Sequence, residues 1–334
     1  MSSADTATTE PVIRTVRGPV RREEWPEVCL AHVHLLGGPV ELPDDLSPER
    51  SDLHLQQPDL ALAELGHLRA AGCGAVVEMS VLDFGRDLAG LRDLSQRSGV
   101  HVVAATGFRR GATAAAAGVP DDWEVIADLL RRDALIGEDG VRVGVLKAGS
   151  GRGELTSRDR ATLRAAAVVQ QETGIPISTH SDAGKLVVDQ VRELDRWGAD
   201  LDKVAVGHID RDLDVAVHEA VLTTGASVIY DQIGKEKYAD IDDYARLLAR
   251  IADAGYAGQV MLSSDFGRRS YLTAFGGGPG LAYVPRTFRR EVVAAGVDDA
   301  LLAAALGPNV WRFYAHPEML REPTPAVVST GEGN

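Results

Sequence analysis

The chain has 334 residues, of which 45% are hydrophobic and 25% are charged, a composition that is typical of a folded globular protein and excludes wholesale disorder. Asp and Glu outnumber Lys and Arg by 49 to 35, and the net charge of -14 argues against nucleic acid or an anionic membrane as a partner. The sequence predicts no secretory signal and no membrane span, and its two cysteines, Cys29 and Cys73, are too few for a cysteine-based zinc site, so we expect a cytoplasmic protein.

Eight short runs rich in Val, Ile and Ala alternate with segments whose apolar residues recur at helical spacing. In chain order, the predicted strands span residues 28–34, 75–80, 101–107, 141–148, 175–180, 203–208, 226–231 and 259–265. The predicted helices lie around residues 60–68, 123–130, 163–170, 187–194, 215–222 and 244–251. Eight strands alternating with helices in one chain predict an α/β fold, a single closed (β/α)8 barrel of the TIM type.

An open, doubly wound parallel sheet is the alternative fold. Its nucleotide-binding form carries G-x-G-x-x-G after the first strand, whereas here only Gly37-Gly38-Pro39 follows. We therefore favour the barrel and assign it residues 25–316. Residues 1–24 are an N-terminal extension without a predicted element, and residues 317–334, with three prolines and a polar end, are predicted to be a flexible tail.

Six polar residues fall at or near the carboxyl ends of predicted strands, which is the face where barrel enzymes carry their sites. They are His32, His34, Lys147, His180, His208 and Asp265. His32 and His34 are two residues apart, so their side chains point to the same side of a strand and are placed to hold one cation together. A lone histidine at a strand end is usually an ordinary hydrogen-bonded residue. Four histidines at three strand ends, with an aspartate at the last, indicate a metal site instead.

These residues belong to a series of motifs that resembles the phosphotriesterase family of the amidohydrolase superfamily. The series covers residues 28 to 314 and keeps the family's order. The motifs are A-H-V-H-L (31–35), V-V-E-M-S (76–80), G-R-D (85–87), T-G-F (106–108), V-G-V-L-K-A (143–148), S-T-H-S-D-A-G (178–184), V-G-H-I-D (206–210), Y-D-Q-I-G-K-E-K-Y (230–238), S-S-D (263–265) and N-V-W-R-F (309–313). The family's usual T-H-E-H is A-H-V-H here, which keeps both histidines.

The resemblance implies a binuclear metal site. Lys147 would be carboxylated by carbon dioxide to a carbamate, an anionic group with two oxygens that spans both metals. One metal would be held by His32, His34 and Asp265, and the other by His180 and His208. The implied metals are two divalent ions, zinc in the first place, with Mn²⁺ or Co²⁺ as alternatives. A hydroxide bridging them would be the nucleophile, and Asp265 would be the catalytic group that accepts its proton.

The expected activity is hydrolysis of a lactone, and the subgroup that cleaves phosphorylated sugar lactones is the best match. In that subgroup a lysine, an arginine and a tyrosine from two loops bind the phosphate. Here the candidates are Lys235 or Lys237, Arg268 or Arg269, and Tyr271, and the sequence does not choose within the two pairs. Arg109 follows T-G-F, where many lactone-active relatives have a nearby tyrosine, and it favours an anionic substrate.

Three alternative functions stay open at this point. The same apparatus can serve a phosphotriesterase or a hydrolase of unphosphorylated lactones, and a barrel that has lost catalysis would be a binding protein. A full set of six ligands argues against that last alternative. As a partner we expect a small anionic lactone, and the family suggests a homodimer.

Overall fold

A computed structural model describes residues 10–39 and 51–317 of the chain. Its strands are β1 (Pro11–Thr15), β2 (Gly18–Val20), β3 (Cys29–Val33), β4 (Ala75–Glu78), β5 (His101–Gly107), β6 (Val145–Ser150), β7 (Ile177–Ser181), β8 (Val204–Gly207), β9 (Ser227–Tyr230), β10 (Val260–Leu262) and β11 (His316–Pro317). Strands β3 to β10 are parallel and neighbours in chain order. They form a nearly closed barrel, which confirms the predicted (β/α)8 architecture and excludes the doubly wound sheet.

The last gap of the barrel, between β3 and β10, is bridged next to the predicted site. Ser263 Oγ accepts a hydrogen bond from the backbone N–H of His32 at 2.9 Å. The backbone N–H of Asp265 donates to the carbonyl of His32 at 3.1 Å. The first and last strands of the barrel, β3 and β10, are therefore joined next to His32 and Asp265, two residues that are predicted to share a metal.

The helices cover the outside of the barrel. They are α1 (Pro58–Ala70), α2 (Leu88–Ser98), α3 (Gly111–Ala116), α4 (Trp123–Leu135), α5 (Ser157–Thr173), α6 (Val187–Arg196), α7 (Val215–Leu222), α8 (Ile241–Asp253), α9 (Arg289–Ala294), α10 (Asp299–Leu306) and α11 (Pro308–Tyr314). The six predicted helices correspond to α1, α4, α5, α6, α7 and α8. Helix α2 was not predicted, although Asp87 caps its first turn and Gly99 ends it in a left-handed conformation. Within the described residues, no helix is long and apolar enough to cross a membrane.

Residues 11–20, which received no predicted element, form a hairpin across the end of the barrel opposite the predicted site. Strand β1 pairs with both β2 and β11, and the N–H of Val16 donates to the carbonyl of Val102 at 2.8 Å. The buried side chains of Ile13, Val20 and Trp25 join the cluster that fills the barrel interior. Apart from Pro317 in β11, the predicted tail lies outside the described residues.

A buried ion pair holds the G-R-D motif against α4. Asp133 accepts hydrogen bonds from Arg86 at 2.7 Å and from Thr106 at 2.6 Å, and each charged side chain is 2% exposed. We expect Asp133→Ala to lower the free energy of unfolding by about 3–5 kcal/mol, because it leaves the buried Arg86 charge with only the exposed Glu138, at 3.5 Å, as an ion-pair partner. Denaturant unfolding measures this change. In contrast, Asp128→Ala, which removes a carboxylate that is 78% exposed, should cost less than ~1 kcal/mol. Equal effects of the two substitutions on the free energy of unfolding would contradict the prediction that the Arg86 charge depends on Asp133.

Candidate metal centre

All six predicted ligands lie at the carboxyl end of the barrel. Lys147 and His180 are within β6 and β7, His32 is within β3, and His34, His208 and Asp265 follow β3, β8 and β10. His32, His34, Lys147 and His208 are buried, and the side chain of Asp265 is 13% exposed. The structure thus collects residues from five strands of one sheet into a single cluster.

Local backbone features aim four of these side chains. In β3 the register shifts between Leu30 and Val33. Regular alternation would turn His32 away from the barrel interior in which Ala31 packs, and the shift interrupts that alternation so that His32 and His34 also face inwards. His208 and Asp265 have φ of 60° and 45°, a left-handed backbone that non-glycine residues rarely adopt. Such strain is commonly concentrated at functional sites.

The first group of ligand atoms is His32, His34 and Asp265, whose atoms lie within 4.8 Å of one another. Asp265 Oδ1 is 3.4 Å from His32 Nε2 and 3.2 Å from His34 Nε2. On its other side, His34 Nδ1 lies 2.9 Å from Ser80 Oγ, which donates to the buried Glu78 at 2.6 Å. Because Ser80 gives its proton to Glu78, His34 is the donor to Ser80, and its Nε2 lone pair faces the Asp265 oxygen.

The second group is His180 and His208, whose Nδ1 and Nε2 atoms are 2.9 Å apart. The opposite nitrogen of each ring faces a carboxylate: His180 Nε2 lies 2.9 Å from Asp182 and His208 Nδ1 lies 2.8 Å from Asp231. Burial lowers the pKa of His180 to about 3, so the ring is neutral at neutral pH. A neutral His180 ring that donates from Nε2 to Asp182 has a lone pair on Nδ1, and this lone pair faces His208 Nε2.

The close approach of ligand atoms in this cluster tests whether a metal fits there. Ligand atoms that can each carry a lone pair converge between His180 and His208, and again between Asp265 and both His32 and His34. Such contacts are repulsive without a proton or a cation between them, and imidazole nitrogen with carboxylate oxygen is a suitable donor set for zinc and related divalent metals. The residues present therefore fit the expected metals.

Lys147 lies between the two groups. Its Nζ is 3.3 Å from His32 Nε2 and 3.4 Å from the carbonyl of Met79. Within the described residues, no carboxylate is at ion-pair distance from this amine, and burial lowers its pKa to about 8. A lysine that is buried for a purely structural reason is usually paired with an acid. Lys147 has no such salt bridge among the described residues.

Asp231 is a site residue that the sequence analysis did not identify. Its Oδ2 lies 2.8 Å from His32 Nδ1 and its Oδ1 lies 2.8 Å from His208 Nδ1, so one carboxylate holds a histidine from each ligand group. Asp231 is fully buried, which acts to raise its pKa, but His208 and His32 hold that pKa well below its ordinary value. It therefore fixes both rings with Nε2 towards the site.

We expect Asp231→Asn to weaken metal binding by about 10–100-fold while the barrel stays folded, because the amide keeps only one of the two oxygens that contact His32 and His208. Titration with a competing chelator measures the affinity. Asp189→Asn, at an exposed position of α6, is the matched control and should leave the affinity unchanged. Unaltered metal binding in Asp231→Asn would show that neighbouring groups alone orient His32 and His208.

A cavity of about 270 Å³ opens above the ligand cluster. Of the residues predicted to bind substrate, Arg109, Lys235, Lys237, Arg268 and Tyr271 line it. Arg269 does not, which corrects that alternative: its backbone N–H donates to Asp52 and its guanidinium lies 5.8 Å from the ring of Phe275, outside the cavity. Arg211 and Tyr238 also line the cavity and were not predicted. The only sequence signal for Arg211 is its place three residues after His208.

Lys235 is directed at the ligand cluster. Its ammonium group donates to Asp265 Oδ2 at 2.8 Å and to the Asp265 carbonyl at 2.7 Å. Gln232 also donates to Asp265 Oδ2, at 3.1 Å. Burial acts to raise the pKa of Asp265, but Lys235 and the nearby histidines hold it well below its ordinary value. The carboxylate is therefore ionised, with Oδ1 towards His32 and His34 and Oδ2 towards Lys235.

The fold and the ligand cluster together define a (β/α)8 barrel hydrolase of the metal-dependent kind. The phosphotriesterase family matches residues 11–314. The phosphotriesterase homology protein of Escherichia coli is 30% identical over 290 residues, 85% of this chain and 97% of that protein. The chain belongs to the phosphotriesterase family, as the motifs predicted, and it is a hydrolase.

Two further comparisons span most of the chain. The N-acetyltaurine hydrolase of Bos taurus is 29% identical over 285 residues, 79% of this chain and 80% of that protein. The crystal structure of a lactonase from Listeria monocytogenes superimposes with a TM-score of 0.82 at 24% identity, over 91% of this chain and 98% of that one, and supports the barrel fold.

Proposed function

We propose that this protein is a metal-dependent hydrolase that opens a lactone bearing an anionic group, in the first place a phosphorylated sugar lactone. One observation carries the proposal: five of the six candidate ligands and five further cationic side chains line the same small cavity. Those cations are Arg109, Arg211, Lys235, Lys237 and Arg268. In a chain with a net charge of -14, such a concentration of positive charge favours an anionic substrate over a neutral phosphotriester.

In this proposal the two divalent metals are zinc, or Mn²⁺ or Co²⁺ in its place. His32, His34 and Asp265 would hold one of them, His180 and His208 would hold the other, and Lys147 as a carbamate would supply an anionic ligand. Lys147 has no acid partner among the described residues, and the ring nitrogens of His180 and His208 face each other at 2.9 Å; both observations support this assignment. When bound, the metals supply the Lewis acidity that polarises a carbonyl and lowers the pKa of water towards neutrality.

Side chains of the protein transfer the proton, orient the proton acceptor and limit the access of water. Asp265 accepts the proton of the attacking water and returns it to the leaving alkoxide, so that ring opening yields a hydroxy acid. Lys235 and Gln232 hold its Oδ2 and thereby fix the direction of that transfer. Leu53 and Phe84 line the cavity beside the cations and reduce access of bulk water to the reacting bond.

Acid release from a panel of substrates tests the function. We expect the metal-loaded enzyme to hydrolyse phosphorylated aldonolactones with kcat/KM at least ~10-fold above the unphosphorylated lactones, since charged hydrogen bonds to the anion contribute about 1.5–3 kcal/mol. The panel includes a neutral phosphotriester. A preference for that compound, or for the unphosphorylated lactone, contradicts the proposed substrate class.

A second candidate is hydrolysis of the amide bond in an N-acylated amino sulfonate. It is favoured by the 29% identity to a protein named N-acetyltaurine hydrolase and by the same cationic cavity, because a sulfonate is also an anion. N-acetyltaurine therefore belongs in the panel. The cytoplasmic location and the homodimer stay predictions.

A further inference from the structure

A second cavity lies on the outside of the barrel, between the helices α4, α5 and α6. Its volume is about 380 Å³, and the described residues that line it include none of the candidate metal ligands. Trp123 stands at the start of α4, Arg164 lies on α5, and Trp197 follows the end of α6. The proposed hydrolysis uses none of these side chains, so this outer cavity is separate from the metal centre.

The guanidinium group of Arg164 lies between two indole rings. Its Cζ atom is 3.7 Å from the ring centroid of Trp123 and 3.9 Å from that of Trp197. Rings at these distances exclude water from the faces of the guanidinium, and cation–π contacts hold the group in place without neutralising its charge. The edge of the group, along which its N–H bonds point, is therefore the part that is left for polar contacts.

Arg164 has no counter-ion in the part of the chain that the structure describes. No carboxylate there is at ion-pair distance from it, and its buried Nε has no hydrogen-bond partner. A second cation of the outer cavity, Arg196, also lacks an ion-pair partner among the described residues, and its Cζ lies 5.7 Å from the ring centroid of Trp197. Two cations beside one ring, with a buried donor that has no acceptor, are the features of a site that binds an anion.

The carboxylates that line the outer cavity are engaged elsewhere. Glu193 accepts a hydrogen bond from Arg160. Asp121 lies 3.6 Å from Arg158, and Asp122 caps the first turn of α4. The protein's own acids therefore do not neutralise the two cations that contact the indole rings.

We propose that the outer cavity binds a small organic phosphate, whose phosphate group contacts Arg164 and Arg196. A phosphate monoester carries a charge of about -1.5 to -2 at neutral pH, which matches two cations, whereas a carboxylate would neutralise one of them. The uncovered edge of the Arg164 guanidinium offers two parallel hydrogen bonds to phosphate oxygens.

The size and walls of the outer cavity indicate that the ligand is larger than a single ion. The volume of about 380 Å³ lies within the range of ~300–1,000 Å³ that is usual for small-molecule sites. Trp123, Ala161 and Trp197 add apolar surface beside the cations. That surface fits the carbon skeleton of a phosphate ester, which inorganic phosphate lacks.

Tryptophan fluorescence measures binding at the outer cavity separately from binding at the metal centre. Of the four tryptophans in the chain, Trp25 and Trp311 contact each other at the opposite end of the barrel from the metal ligands, and the described lining of the metal cavity contains none. We expect glycerol 3-phosphate to change the fluorescence of the metal-loaded protein in a saturable way, and glycerol, its uncharged control, to leave the fluorescence unaltered. Because the measurement involves no lactone, its result does not depend on the proposed hydrolysis.

Two substitutions test the assignment of the cations. Arg164→Gln should raise the Kd for glycerol 3-phosphate at least ~10-fold, and the exposed Arg196→Gln should raise it by a smaller factor, because each removes a charged hydrogen bond. Arg250→Gln, which removes the same charge from the exposed face of α8, is the matched control and should leave the Kd unchanged.

Three results would overturn the proposal. They are a fluorescence that does not respond to glycerol 3-phosphate, a Kd that is unchanged in Arg164→Gln, and equally tight binding of glycerate, which carries a single charge. If Arg164→Gln does not fold, an unchanged Kd in Arg196→Gln overturns the proposal in its place, since that side chain is exposed and its loss should not disturb the packing.

Discussion

Replacing Lys147 with alanine is expected to abolish activity and to remove both metals, which elemental analysis should find at about two per chain in the unsubstituted protein. Lys147 is the residue that lies between the two histidine groups, 3.3 Å from His32, and without it no anionic ligand joins them. Addition of short carboxylic acids such as acetate or propionate should restore part of the metal content and activity, because a free carboxylate can occupy the position of the carbamate.

Lys185→Ala is the control for this experiment, since that lysine is 56% exposed and pairs with Asp212 outside the cluster. It should retain metal and turnover. Full activity of a protein that is shown to be free of metal would refute the two-metal assignment. Rescue by simple amines in place of carboxylic acids would point to an unmodified lysine.

The second large effect concerns Asp265. Substitution by asparagine should lower kcat by at least ~100-fold while much of the metal and the fold are kept, because the amide can still offer an oxygen ligand but cannot take up the proton. Asparagine is also a mild choice for the backbone, since it tolerates the left-handed conformation of this residue better than alanine does.

Metal analysis and circular dichroism accompany the kinetics of Asp265→Asn, so that loss of metal or of fold is distinguished from loss of proton transfer. Asp253→Asn, at the exposed end of α8, removes a carboxylate far from the cluster and should have wild-type turnover. Turnover close to wild type in Asp265→Asn would exclude this carboxylate as the proton acceptor.

The strand ends that carry the metal ligands were predictable because each lies after a short apolar run, and the carboxyl ends of parallel strands meet on one face. The bulge in β3 and the left-handed backbone of His208 were not predictable. Both arise from long-range contacts, yet both decide which way a ligand points. Similarly, the pairing of β1 with β11 was not predictable, because it joins residues some 300 positions apart in sequence.

The side chains that support the ligands were harder to find than the ligands. Asp231 ends a predicted strand like many other acids, and only the folded barrel shows that it contacts both His32 and His208. Arg268 and Arg269 are adjacent and chemically identical, so their separation into one residue inside the cavity and one outside depends on how the loop is tied to Asp52. Local sequence holds no information about that contact.

The hairpin of β1 and β2 has a consequence for where a shortened form of this protein should begin. Ile13 and Val20 fill the amino-terminal end of the barrel beside Trp25, at the opposite end from the metal ligands. A chain that starts at residue 25 would expose that interior to water and lose about 1.5–3 kcal/mol for each large apolar side chain removed. It would also leave β11 without its partner strand. The smallest stable unit therefore includes β1 and begins no later than residue 11, even though the candidate metal ligands lie at the far end of the barrel.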